Sequence, residues 1–139
     1  MERLQSFKRE RLMKTFDEYI TEAKTIKLAA AVFKLTDTEQ YKGETIEYYD
    51  NTGKYPEAFS LHVNHKDKTV SVYQNMGDEY QSSEEWMDDW LKKKGLTKKY
   101  EDDPSEGEKY QKMFDKAIWD PIAKAAKNEW KGYKVSQEA

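Results

Sequence analysis

Residues Ala58–Met76 read AFSLHVNHKDKTVSVYQNM. Phe59, Leu61 and Val63 alternate with Ser60, His62 and Asn64; then Val70 and Val72 alternate with Thr69, Ser71 and Tyr73. A period of two marks strands with one buried and one wet face, so an antiparallel hairpin is predicted here. Pairing Val63 with Val70 sets Leu61 opposite Val72 and gathers the apolar residues on one side. That register closes through a tight loop at Lys66-Asp67 or a four-residue loop at His65–Lys68. A three-residue loop would slip it by one and mix the faces.

A lone hairpin is marginal in water, so neighbouring strands are expected. Upstream, ETIEYYD (44–50) fits a strand ended by the turn residues Asp50-Asn51-Thr52-Gly53, and Tyr55-Pro56 requires extended backbone before the hairpin. TDTEQYKGE reads as a loop. TIKLAAAVFKL (25–35) is ambiguous: Ile26, Leu28, Ala30 and Val32 alternate like a strand, while three consecutive alanines favour helix. The strand reading suits its neighbours. Residues 2–23 fit a helix with Leu12, Phe16, Tyr19, Ile20 and Ala23 on one face and Leu4 and Phe7 nearly opposite, among basic side chains. Either the helix begins near Lys8 and residues 1–7 fray, or Leu4 and Phe7 dock on a partner.

Downstream, SSEEWMDDWLKKKG (82–95) carries helix signals at both ends: Ser82 with Glu85 as a capping box, three lysines in the last turn, and Gly95 as the left-handed stop. Trp86, Met87, Trp90 and Leu91 share one arc, and Glu84, Glu85, Asp88 and Asp89 take the other. A next helix is expected from Asp103 as cap and Pro104 at the first position, with Tyr110, Met113, Phe114, Ala117 and Ile118 as its stripe. At Asp120-Pro121 the stripe jumps phase, and Trp119, Ile122, Ala126, Trp130 and Tyr133 form a new set. Proline with a phase change predicts two helices, Asp120 capping the second. Residues 134–139 are expected to fray. The predicted architecture is α+β, one domain over residues 1–139: an N-terminal helix, an antiparallel sheet of three to four strands centred on residues 58–76, and three C-terminal helices as a small layer.

Composition bounds what this fold does. Of 139 residues 37% are charged and the mean hydropathy is −1.12, yet 14% are aromatic, which favours a small folded core under a highly solvated surface over disorder. There is no cysteine, which excludes disulfides, thiolate metal sites and thiol nucleophiles. No apolar run has the length of a membrane span and the first residues lack a signal-peptide core, so a soluble, cytoplasmic protein is expected. The net charge of −3 is segregated: residues 1–35 and 109–139 are each net +3, residues 36–77 net −3 and residues 78–108 net −6.

Catalytic motifs are not legible. His62 and His65 stand three apart, which on one strand sends them to opposite faces, and no further ligand has metal-site spacing. The glycines are scattered singly rather than set in a phosphate loop, and no serine sits in a nucleophile elbow. No cofactor is implied. Lys92, Lys93, Lys94, Lys98 and Lys99 with Tyr100 form a basic run, but flanking acids oppose nucleic acid. The reading that remains is a non-enzymatic protein that docks on a protein partner, as inhibitor or adaptor, through an acidic, aromatic-containing surface. Its candidate residues are Glu84, Glu85, Asp88, Asp89, Glu101, Asp102 and Asp103, with Leu4 and Phe7. In one form of it these acids, with Asp78 and Glu79, imitate a nucleic-acid backbone in a basic groove. The alternatives are a small enzyme using carboxylates and tyrosines on the sheet, and a nucleic-acid-binding accessory protein using the basic N-terminal helix.

Overall fold

The computed structural model describes residues 24–76 and 81–139. The expected N-terminal helix, with Leu4 and Phe7, lies outside the described residues. Within them the chain is α+β, with a six-stranded sheet in the order β1 to β6: β1 Thr25–Leu28, β2 Ala31–Tyr41, β3 Glu44–Asn51, β4 Phe59–Asn64, β5 Thr69–Gln74 and β6 Lys134–Glu138. Five strands run as an antiparallel meander, and β6 joins β5 in parallel after a helical crossover.

The central hairpin has the expected register, Val63 opposite Val70 and Leu61 opposite Val72, closed by the four-residue loop. Asn64 builds that loop: its Oδ1 accepts the backbone N–H groups of Lys66 and Asp67, each at 3.0 Å. Phe59, Leu61, Val63, Val70 and Val72 are all fully buried, worth ~1.5–3 kcal/mol apiece in burial.

The sheet has six strands rather than three or four. Residues 25–35 are two strands, joined at Ala29-Ala30 with Ala29 at φ 56°. The expected loop at 36–44 is mostly strand. β2 continues through it and turns into β3 at Lys42-Gly43, with φ 51° and 82°, the paired positive angles of a hairpin turn matched to strand twist. Its polar residues hid this strand because the outer half of β2 is exposed, Tyr41 at 65%. The sixth strand is the segment expected to fray. Val70 aligns with Val135, and the Lys134 N–H donates to the Lys68 carbonyl at 2.9 Å.

The helices cover one face. α1 (Gln81–Lys93) buries Ser83, Met87 and Leu91, with Trp86 and Trp90 packed at the margin against the Phe114 ring. Ser82 lies inside its first turn, so the expected Ser82–Glu85 box is not its start. Ser83 is the anchoring serine, its hydroxyl shared between the carbonyls of Ala58 and Asn75. Gly95 ends the helix as expected, at φ 70°, with bonds from Gly95 N–H to Lys92 and from Leu96 N–H to Leu91.

A short α2 (Thr97–Asp102) follows, and Asp103 then receives the Glu106 N–H on its carbonyl in a single 3₁₀ turn at Pro104–Glu106. The expected pair of helices broken at Asp120 is instead one helical run. α3 (Gly107–Phe114) and α4 (Asp120–Glu129) are joined through a π turn at Asp115–Trp119. A π turn inserts one residue and rotates the following stripe by about 100°, which is the phase jump in the sequence. The Asp120 N–H reaches back five residues to the Asp115 carbonyl, and Pro121 is placed in the first turn after it.

α4 lies against β1, β5 and β6, so both edge strands wrap it and the sheet curls. The indole of Trp119 donates to the Val72 carbonyl at 3.1 Å, fastening the π turn to the central hairpin. Among the described residues no helix is long and apolar enough to cross a membrane.

Removing residues 134–139 separates the two descriptions of the C-terminus. Loss of β6 is expected to lower unfolding free energy by ~1–3 kcal/mol in urea denaturation. Removing a frayed tail would change it by less than about 0.5 kcal/mol.

Candidate functional site

α1, α2 and α3 stand around a cleft of about 550 Å³ at one end of the sheet. Four of the acids singled out in the sequence line it: Glu84, Asp88 and Asp89 from α1 and Glu101 from α2. Lys92 is the single basic residue among the lining residues. The apolar part of the wall comes from Met76, Met87 and Leu91, and Tyr100 contributes a ring stacked on Tyr110 with centroids 5.6 Å apart. Glu85, Asp102 and Asp103 are exposed and lie outside the lining. Leu4 and Phe7 are outside the described residues.

Helical spacing explains the convergence. Glu84 and Asp88 are four apart, so they stack on one side of α1, while Met87 and Leu91 hold the neighbouring side against the core. The Schellman turn at Gly95 then sends α2 back beside α1, which brings Glu101 across the gap. Asp89 is occupied differently. It accepts the Tyr55 hydroxyl and sits 3.3 Å from Lys54 Nζ, while the Tyr55 ring stacks on Trp86 with centroids 5.0 Å apart. The Tyr55 hydrogen bond and the Lys54 ammonium hold the Asp89 carboxyl below its ordinary range, and Asp89 in turn raises both partners. Asp89 therefore pins the β3–β4 connection to α1.

Two glutamines at the back of the cleft had no sequence signal. Gln74, only 3% exposed, and Gln111 both donate from Nε2 to Asp115 Oδ1, at 3.1 and 2.8 Å. Gln74 ends β5 and Asp115 opens the π turn, 41 residues apart.

A second polar cluster closes the opposite end of the hairpin. Glu47 points to the core side of β3 and collects three groups. Its Oε1 meets His65 Nε2 at 2.8 Å and the Tyr49 hydroxyl at 3.0 Å, and its Oε2 meets Lys24 Nζ at 3.3 Å. His65 Nδ1 faces the Tyr133 hydroxyl at 2.7 Å. Burial pushes the Glu47 carboxyl up, but the His65 hydrogen bond, Lys24 and Tyr49 outweigh it and the group ends below its ordinary value. Burial and Glu47 push the Tyr49 hydroxyl up in turn. Each carboxylate oxygen already holds a donor, so the cluster acts as a tie between β3, the β4–β5 loop and the entry to β6. His65 is thus more than a turn histidine, and its partners come from 18 and 68 residues away.

His62 lies on the other sheet face, as its spacing from His65 required. It is half-buried between Tyr48 and Tyr73, with ring centroids at 4.7 and 4.5 Å. Tyr48 donates to Glu39, and that bond pushes its hydroxyl up to about 12. Desolvation holds the His62 imidazole below its ordinary value, against the opposing pull of Asp50. Among the described residues no three His, Cys, Asp or Glu side chains are grouped to hold a metal ion.

These shifts predict two acid limbs. The unfolded chain protonates more readily than buried His62, so stability is complete above about pH 6.5 and falls as pH drops through the folded value. Depressed Glu47 contributes above about pH 4.5 and is lost below it. Melting temperature followed by circular dichroism from pH 8 to 3.5 should show both, with His62→Asn flattening the upper limb and Glu47→Gln the lower. Unchanged slopes in the variants would refute the assignment.

No protein-family model matches the chain, and neither does any curated protein or any solved structure.

Proposed function

We propose that this protein is a non-enzymatic binding protein whose cleft between α1, α2 and α3 receives a basic segment of a protein partner. One observation carries the reading: acids from two helices, three of them exposed, line one concave, partly apolar space. A cleft with four carboxylates and one ammonium at its wall attracts cations and repels nucleic acid. Met76, Met87, Leu91 and Tyr100 supply the apolar and aromatic contact that gives an interface its affinity. Catalysis is less well supported, because Asp89 and Glu47, the carboxylates with depressed pKa among the described residues, are both already held by hydroxyl and cationic partners. The reading through a basic N-terminal helix concerns residues outside those described.

Two triple variants of equal charge change test it. Glu84→Gln/Asp88→Asn/Glu101→Gln neutralises the cleft, and Glu85→Gln/Asp102→Asn/Asp103→Asn neutralises acids beside it. In affinity capture from lysate of the source cells, with nuclease present, the first variant is expected to lose a stoichiometric protein partner at least tenfold. The second is expected to keep it. Equal loss from both would replace the cleft by a diffuse acidic surface of the nucleic-acid-mimic kind. Retention by the cleft variant would overturn the proposal.

A further inference from the structure

Asp115 imposes an orientation on the back of the cleft. A carboxylate only accepts hydrogen bonds, so the amide groups that meet Asp115 Oδ1 at 3.1 and 2.8 Å present nitrogen to it. Gln74 and Gln111 must then turn their carbonyl oxygens elsewhere, and both residues line the cleft. Among the described residues neither oxygen receives a donor, although Gln74 is only 3% exposed. A buried acceptor without a donor is costly and calls for a partner. Glu84, Asp88 and Glu101, exposed on the same wall, also only accept. Asp89 is already served by Tyr55 and Lys54.

Resting on the docking proposal above, we infer that the group this cleft takes is the guanidinium of an arginine side chain on the partner. The acceptor-rich wall needs a ligand with several donors, no acceptor and a positive charge. Guanidinium offers five N–H groups in a fixed planar fork, whereas an ammonium is a compact point charge with three. Its plane stacks on aromatic rings, and Tyr100 lines the cleft with its ring steadied by Tyr110. The three-carbon stem packs along apolar wall while the head reaches the acids, which matches Met87 and Leu91 beside Glu84 and Asp88. Lys92, the one ammonium among the lining residues, is exposed.

The test uses the full chain with ¹³C-labelled methionine methyls and the tripeptide acetyl-Gly-Arg-Gly-amide. Its lysine and citrulline counterparts serve as comparisons; citrulline keeps the shape and loses the charge. Saturable shifts of Met76 and Met87, with Met113 unmoved, are expected for the arginine peptide. Binding should be several-fold weaker for lysine and at least tenfold weaker for citrulline. Glu84→Gln/Glu101→Gln, both surface changes, should weaken the arginine peptide about tenfold or more. Gln74→Leu should erase the preference for arginine over lysine, and Gln111→Leu repeats that test should the buried variant fail to fold. No saturable shift, or citrulline equal to arginine, would overturn the inference. If the cleft variant loses the captured partner while the arginine peptide neither binds nor competes, docking stands and the arginine assignment falls. A partner indifferent to both the cleft variant and the peptide removes both proposals.

Discussion

The register of the β4–β5 hairpin is the constraint on which the remainder of this structure depends. Val63 opposite Val70 and Leu61 opposite Val72 put the fully buried residues of both strands on the side the helices cover. A slip of one residue would turn one strand over against the other, bringing either Ser60 and His62 or Ser71 and Tyr73 into that layer. The polar ends of the hairpin reinforce the choice. At the loop end Asn64 builds the turn and His65 joins Glu47 and Tyr133. At the open end Ser83 bonds the carbonyls of Ala58 and Asn75, and so sets where α1 begins to cross.

The π turn is the second decisive feature, and it links the core to the cleft. Its last residue, Trp119, is fastened to the Val72 carbonyl inside the sheet, and its first, Asp115, gathers the amides of Gln74 and Gln111 at the cleft wall. One inserted residue therefore lets α3 present Phe114 to the α1 tryptophans while α4 presents Ile122 and Ala126 to the curled sheet. A regular α-helix through the same residues would serve one of these faces and miss the other. The polar wall of the cleft thus comes from the same irregularity that allows the helical layer to follow the sheet.

Legibility followed the range of the interactions involved. The hairpin, the α1 arc and the Gly95 stop rest on contacts within a few residues, and all three were readable. The phase break near Asp120 was readable too, but both a chain break and a one-residue insertion satisfy it; the Asp120-to-Asp115 backbone bond is what distinguishes them. β2 was partly hidden because much of it is exposed and so lacks apolar alternation. β6 was hidden because its pairing is parallel and arrives after a helical crossover. At the candidate site the acids of α1 stood out by composition, while Gln74, Gln111 and Asp115 did not, since glutamine carries no signal until a partner orients it.

By itself the sequence determined the period, phase and ends of its stronger elements: a two-residue repeat at 58–76, an acidic arc opposite a tryptophan arc on α1, and a stripe that changes phase near Asp120. These properties belong to the local geometry of the chain, where each residue's direction follows from its position in a turn or a pleat. Tertiary structure alone decided that residues 134–138 become a sixth strand, that Glu47 meets His65 and Lys24, and that Glu84, Asp88 and Glu101 surround one cleft. Those outcomes join groups from different elements, some separated by tens of residues. Their geometry exists only once the helical layer has closed over the apolar face of the sheet.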